Sequence, residues 1–333
     1  MIRAAILGAS GYVGGELMRL LAAHPRIEVE RAFGASAAGK PVNEPHPHLG
    51  LAYADKAFDA WEPALLDGCD LVFAALPHGE SQKLVDAIGG RKFVDLGADF
   101  RLDKAEEYER WYGEPHQRPD LLAAFAYGLP EFRRDAIAAA DRVAAPGCYP
   151  TAASLALKPL IDAGVIETQG IVVDSVSGAS GAGRAASAGT HFCAVDGNFR
   201  AYGLLNHRHT AEMQMVTGAE ILFTPHLAPM SRGILATCYA RARAACDPQA
   251  ILFEAFEAEP FIHVGAAPPE TKWATGSNSA FLTARYDPRT NIVVSICAID
   301  NLGKGAAGQM IQCANLMLGL GETDGLAVAG VYP

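Results

Sequence analysis

Apolar and polar positions change period in a regular order along the first 150 residues. Residues 2–7 (IRAAIL) read as a short buried strand, and 27–34 (IEVERAFG) alternate as a second. Between them Val13, Leu17, Leu20 and Leu21 recur at helical spacing, predicting a helix from about Tyr12 to His24. Strands follow at 70–75 (DLVFAA), 92–96 (KFVDL) and 142–145, with a helix ending near residue 88. Residues 103–119 are charged and aromatic and read as a solvated helix and loop. Strands alternating with helices predict an α/β fold with a parallel sheet.

The second half has a different rhythm. After Pro146 and Gly147, the residues Thr151, Ala152, Leu155, Ala156 and Leu160 take helical spacing until Gly164 ends the run. Strands are predicted at 170–177, 219–224, 233–242 and 291–299, with a helix at 248–257 and a last helix opened by the stretch Asp300–Gly308. Met310, Ala314, Met317 and Leu318 form the buried stripe of that last helix. A chain of 333 residues suits two domains.

The turn after the first strand carries Gly8, Gly11 and Gly14. In a strand–turn–helix setting these allow a tight turn, backbone approach to a pyrophosphate, and close helix–sheet packing. Gly8, Ser10, Gly11, Tyr12, Val13 and Gly14 are therefore candidate dinucleotide contacts. No carboxylate follows the second strand to hold ribose hydroxyls; Ser36, Gly39 and Lys40 stand there instead and can receive a 2′-phosphate, which favours NADP over NAD. Pro77, His78 and Gly79 follow the third strand and are expected on the same crevice rim. Arg101 follows the fourth and is either an anion clamp or a surface ion pair.

The chain carries a net charge of −10, which excludes phosphate-driven nucleic-acid binding and docking on anionic membranes. No apolar run reaches the ~20 residues of a membrane helix. The seven cysteines are scattered without a C-x-x-C pair, so neither a disulfide framework nor a zinc module is indicated, and a cytoplasmic setting is expected. Cys148 stands at the mouth of its predicted helix, where dipole and backbone N–H groups favour a thiolate over the ordinary thiol of pKa ~8.5. The alternative is an inert buried cysteine.

Two further segments bear on it. Residues 178–189 (GASGAGRAASAG) form a glycine-rich loop between strands, with Ser180, Gly181 and Arg184 placed to touch a ligand. Asn206–Met213 holds His207, His209 and Glu212; a metal pair is disfavoured for want of a third ligand, and His46 and His48 read as surface loop. A histidine near a thiol is a general base candidate. Thiolate and nicotinamide in one site imply thioester chemistry on an acyl phosphate or an aldehyde.

The segments GASGYVGGEL, LPHGES, DLGADFRL, APGCYPTAASLALKPLI, NHRHTAEM, HLAPMSRGILAT and NLGKGAAGQM together resemble the N-acetyl-γ-glutamyl-phosphate reductases, and more broadly the aspartate-semialdehyde dehydrogenases. The resemblance implies a Rossmann-type NADP domain (1–147 plus a C-terminal helix at about 304–333) and an α+β catalytic and dimerisation domain (148–303). It implies NADPH-dependent reduction of an acyl phosphate through a Cys148 thioester. His209 is preferred to His207 as acid/base, Arg101 is placed on the phosphate and Arg232 on a carboxylate. Arg184 and Glu212 are further substrate contacts, and Ser180, Gly181 and Asn301 lie by the cofactor. It implies a homodimer or homotetramer, no metal, and a small-molecule substrate. An aspartate-semialdehyde dehydrogenase, an aminoadipyl-phosphate reductase and a non-catalytic NADP sensor are the alternatives.

Overall fold

The computed structural model describes residues 1–333, which divide into two compact units. The first comprises Met1–Pro146 with Ala306–Leu326, the second Gly147–Gly305 with Ala327–Pro333. The closing residues thus lie with the second unit, whereas 304–333 as a whole was expected with the first. Backbone bonds account for this: Asn278 donates to the Ala327 carbonyl at 2.8 Å and Val331 donates to that of Thr275 at 2.7 Å.

The first unit is built on strands β1 (Ile2–Leu7), β2 (Ile27–Phe33), β3 (Leu71–Ala74), β4 (Lys92–Asp95), β5 (Ala126–Tyr127) and β6 (Arg142–Ala144). They form one sheet in the order β2-β1-β3-β4-β6-β5, every pair parallel. The strands are short and nearly continuous in apolar residues because both faces are covered. Phe73 and Phe93 are at most 1% exposed, each contributing roughly 1.5–3 kcal/mol of burial. The helix Gly308–Met317 is buried on nearly every side, wider than the stripe its spacing suggested. The order reverses between β1 and β3, which in open α/β sheets places the ligand crevice at the carboxyl ends of those two strands.

The second unit carries β7 (Ile171–Ser177), β8 (Arg200–Ala201), β9 (Ile221–Leu227), β10 (Ile234–Arg241), β11 (Ile262–Val264), β12 (Ala280–Asp287) and β13 (Ile292–Ile299). Their order is β11-β12-β13-β10-β7-β9-β8, a mixed sheet. β12 went unpredicted, although it pairs with β13 along eight residues. Along β7 and β10 buried and partly exposed residues alternate. The inward face packs on the helix Cys148–Asp162, where Ser295 on β13 donates to the Ala156 carbonyl at 2.8 Å. No helix is long and apolar enough to cross a membrane.

Candidate active site

In the first unit the glycine turn is fixed by backbone crowding. Gly8 has φ +79°, and a Cβ there would lie 2.3 Å from the Ala75 carbonyl oxygen. A Cβ on Gly14 would lie 2.3 Å from the Gly8 oxygen and 2.5 Å from the Ala9 Cα. Gly11 is the helix N-cap and no side chain caps it; a Cβ there would meet only the Gly8 oxygen, at 3.4 Å. Gly8 and Gly14 therefore close the turn against the sheet, and Gly11 leaves room for a phosphate to approach the first-turn N–H groups. The residues present fit a dinucleotide.

The rim is also held in place. Asp99 is fully buried and accepts from the Gly79 N–H at 2.6 Å and the Gln82 N–H at 3.1 Å, fixing the Pro77–Gly79 loop. Asp95 is fully buried too, and its Oδ1 accepts from Ser81 Oγ at 2.7 Å and from the Gly97 N–H at 2.8 Å. Burial pushes the Asp95 carboxyl up to about 7. Arg101 is 8% exposed and donates from Nη2 to the Leu96 carbonyl at 2.6 Å, so it is a buried residue of the rim rather than a surface one. Ser36 and Lys40 are exposed beyond β2, and Lys40 pairs with Glu44. His46 corrects the surface reading. It is 4% exposed, its Nε2 lies 3.0 Å from the Ala9 carbonyl, and its ring occupies the space a Cβ on Gly15 would take. His48 is exposed as expected.

The second unit gathers side chains from four segments. Cys148 is the first residue of its helix and Gly147 is the N-cap in extended conformation. Next to the thiol, the His209 imidazole lies on Gly147: a Cβ there would be 2.5 Å from Nε2 and 2.7 Å from Cε1. Only glycine at 147 lets that imidazole lie on the residue before Cys148. Glu212, one turn into the helix His209–Thr217, is fully buried and accepts from the Gly147 N–H at 3.0 Å. The bond holds the backbone that carries Cys148.

His207 has a different environment. Its Nδ1 accepts from the His209 N–H at 3.2 Å, and its ring stands edge-on to Tyr149, Tyr202 and Phe223. Burial first, and the Arg208 charge second, lower its pKa to about 4, so it is neutral at pH 7. The Tyr149 and Tyr202 hydroxyls lie 3.0 Å apart, and burial raises both phenols well above their ordinary range.

The third and fourth segments meet at residue 301. Asn301 donates from Nδ2 to Ser180 Oγ at 2.9 Å and accepts from the Gly233 N–H at 2.7 Å. This ties the glycine-rich loop to the turn that carries Arg232, whose Nε lies 3.0 Å from Asp300. Arg184 lies on the exposed stretch 181–188 of that loop. Residues Gly303–Ala307 form a π turn, closed by the Gly305 N–H donating to the Asp300 carbonyl at 2.9 Å. A Cβ on Gly305 would lie 2.8 Å from the Cys148 Cβ. Gly147 was read only as a breaker ahead of the helix, and Gly305 and Asp300 were given no site role from the sequence, although Gly305 stands inside a segment that carried the resemblance. No disulfide joins the cysteines, and no group of three His, Cys, Asp or Glu side chains is placed to hold a metal.

The strand–turn–helix of the first unit, shaped to receive a dinucleotide, marks the chain as a nicotinamide-dependent oxidoreductase. Family models agree by segment: the semialdehyde dehydrogenase NAD-binding domain matches residues 3–140, and the semialdehyde dehydrogenase dimerisation domain matches 148–301. Solved aspartate semialdehyde dehydrogenases share the fold. One, from Vibrio cholerae in complex with ASA, has TM-score 0.69 at 18% identity, covering 96% of this chain and 98% of that one. Another, from Candida albicans with NADP, has TM-score 0.68 at 16% identity over 96% and 98%. Sequence relatives are nearer. The N-acetyl-gamma-glutamyl-phosphate reductase of Symbiobacterium thermophilum is 48% identical over 100% of this chain and 99% of its own length. That of Alkalilimnicola ehrlichii is 46% identical over the whole of both. The chain belongs to the N-acetyl-γ-glutamyl-phosphate reductase family.

Proposed function

We propose that the chain reduces N-acetyl-γ-glutamyl phosphate to N-acetylglutamate 5-semialdehyde and phosphate, with Cys148 as nucleophile and His209 as its acid/base. NADPH, when bound at the Gly8–Gly14 turn, supplies the hydride. The observation that carries this reading is the His209 imidazole resting on Gly147, one residue from the thiol. His209 takes the Cys148 proton, and the sulfur attacks the acyl carbon. The tetrahedral adduct collapses, the C–O bond to phosphate breaks, and a Cys148 thioester remains. After its reduction the C–S bond breaks, the aldehyde leaves, and the thiol regains its proton from His209. His207, neutral at pH 7, turns its Nδ1 to the His209 N–H and orients that backbone. Glu212 fixes the Gly147 peptide. Arg101 is assigned to the departing phosphate and Arg232 to the substrate carboxylate.

The assembly is read as a homodimer built through the second sheet. Leu222 and Tyr239 are 48% and 38% exposed on its outer face, beside the partly exposed Val172, Val176 and Ile296. These apolar residues flank Asp174, Thr224 and Thr237 on the same face, and such a mixed face supports pairing with a second copy. A free thiol nucleophile suits the reducing setting of the cytoplasm.

The test is Cys148→Ser. Turnover with NADPH and the acyl phosphate should fall by about 10⁴-fold or more, as on removal of other covalent nucleophiles, while NADPH still binds. Near-normal turnover would rule out the thioester route.

A further inference from the structure

We propose that Asp300 is a positioning residue for recognition of the substrate's α-carboxylate, acting through Arg232; this rests on the assignment of Arg232 to that carboxylate. Asp300 follows β13 directly and is fully buried. Its Oδ2 accepts from the Gly276 N–H at 2.6 Å and lies 3.0 Å from Arg232 Nε. Its Oδ1 accepts from the Leu302 N–H at 2.9 Å and lies 3.2 Å from the same Nε. Both oxygens thus grip one edge of the guanidinium, and two backbone N–H groups keep the carboxylate from turning.

A guanidinium is planar, so fixing Nε fixes the plane in which it can pair with a second carboxylate. The Arg232 side chain keeps 24% exposure while Asp300 has none, so the pair faces outward with its cation. The backbone of the same residue serves the nucleophile. The Asp300 carbonyl closes the π turn that lays Gly305 on Cys148. Its neighbour Asn301 holds both the Ser180 loop and the Gly233 turn. One short segment, 300–305, therefore sets the carboxylate clamp through a side chain and the thiol through the main chain. Because Oδ1 also accepts from the Leu302 N–H, any change to this side chain needs a control on the thiol beside it.

The experiment compares Asp300→Asn with native enzyme in the reverse direction, with NADP and inorganic phosphate. One substrate is N-acetylglutamate semialdehyde; the other is 4-acetamidobutanal, which lacks the α-carboxylate. The KM for the semialdehyde should rise about 10–100-fold, the loss of one hydrogen bond between charged groups. The kcat/KM for 4-acetamidobutanal and the pH profile of Cys148 alkylation by iodoacetamide should not move. Equal losses on both aldehydes, or no loss on either, overturn the proposal. Arg232→Met tests the underlying assignment separately: it should erase the preference for the carboxylated aldehyde, and if it does not, Arg232 holds another group. Should Asp300→Asn fail to fold with Arg232 left buried beside an amide, the double variant Arg232→Met/Asp300→Asn removes the stranded charge. It should match Arg232→Met alone on both aldehydes, and a further loss on both overturns the proposal.

Discussion

The two units build their sites from different materials. In the first, seven consecutive residues, Gly8 to Gly14, form the turn, and its shape comes from backbone packed on backbone. In the second, Cys148, His209, Arg232 and Gly305 come from segments up to 157 positions apart, and side chains make the site. The first arrangement is local and unforgiving, because a main-chain neighbour cannot rotate away. The second is dispersed and adjustable, so its members are held by buried polar groups such as Glu212, Asn301 and Asp300. Glycine appears in both, for opposite reasons. Gly14 admits main chain; Gly147 admits an imidazole.

The sharpest way to break the comparison is to add one methyl group to each. In Gly147→Ala the new Cβ would meet His209 Nε2 at 2.5 Å, a side-chain atom that can swing aside. Folding and NADPH affinity should survive, and kcat should fall about 10²–10⁴-fold, the usual worth of a placed general base. In Gly14→Ala the methyl would meet the Gly8 oxygen at 2.3 Å and the Ala9 Cα at 2.5 Å, neither able to yield alone. That variant should lose about 1–3 kcal/mol of stability and bind NADPH more weakly. Steady-state kinetics and thermal unfolding of both variants decide it. A fall in kcat for Gly147→Ala matched by an equal fall in stability would remove the distinction.

The same contrast explains what could be read from the sequence. The glycine turn was legible because its parts are consecutive and flanked by a strand and a helix. Cys148 was legible from Pro146 and Gly147, and the histidine cluster from its composition. What brings them together was not legible, since Gly147 meeting His209 spans 62 positions and involves no unusual residue type. β12 was missed because AFLTARYD mixes charge with apolar residues and pairs as an inner strand only once β13 is beside it. His46 was misread because flanking prolines suggested a surface loop, while its ring fills the space beside Gly15. The bond from the Gly147 N–H to buried Glu212 was likewise not legible, since 65 positions separate the two.

A smaller effect separates the two histidines. His207 titrates near 4 in the native state against 6.5 in the unfolded chain. As pH falls from 6.5 toward 4 the unfolded chain gains a proton that native His207 refuses, so stability declines through that window and its full contribution stands above it. His207→Asn keeps an acceptor for the His209 N–H but cannot titrate. Its unfolding free energy should lose about 1–3 kcal/mol less than the native protein's between pH 6.5 and 4. Parallel curves would show that His207 is charged or solvated in the folded state.

The smallest effect expected lies in the first unit, where a buried carboxyl supports the loop after β4. Asp95 is held up to about 7 by burial, against 3.8 in an unfolded chain. Its folded value is the higher one, so the sign is opposite to that for His207: stability falls as pH rises from 3.8 toward 7, and the penalty is complete above it. Asp95→Asn imitates the protonated acid and keeps an oxygen for Ser81 Oγ and the Gly97 N–H. Its amide group replaces Oδ2, which is buried with no hydrogen-bond partner, so it gains no new contact and should match the native protein below pH 3.8, where the acid is protonated folded and unfolded. At pH 8 it should be the more stable of the two by about 1 kcal/mol, the typical size of a single-residue effect. Urea melts at both pH values measure the difference. If Asp95→Asn is instead the less stable at pH 8 and the gap widens with pH, Asp95 works as an anion toward the Arg101 charge. The first unit would then hold its anion clamp by a buried carboxylate, as Asp300 holds Arg232 in the second.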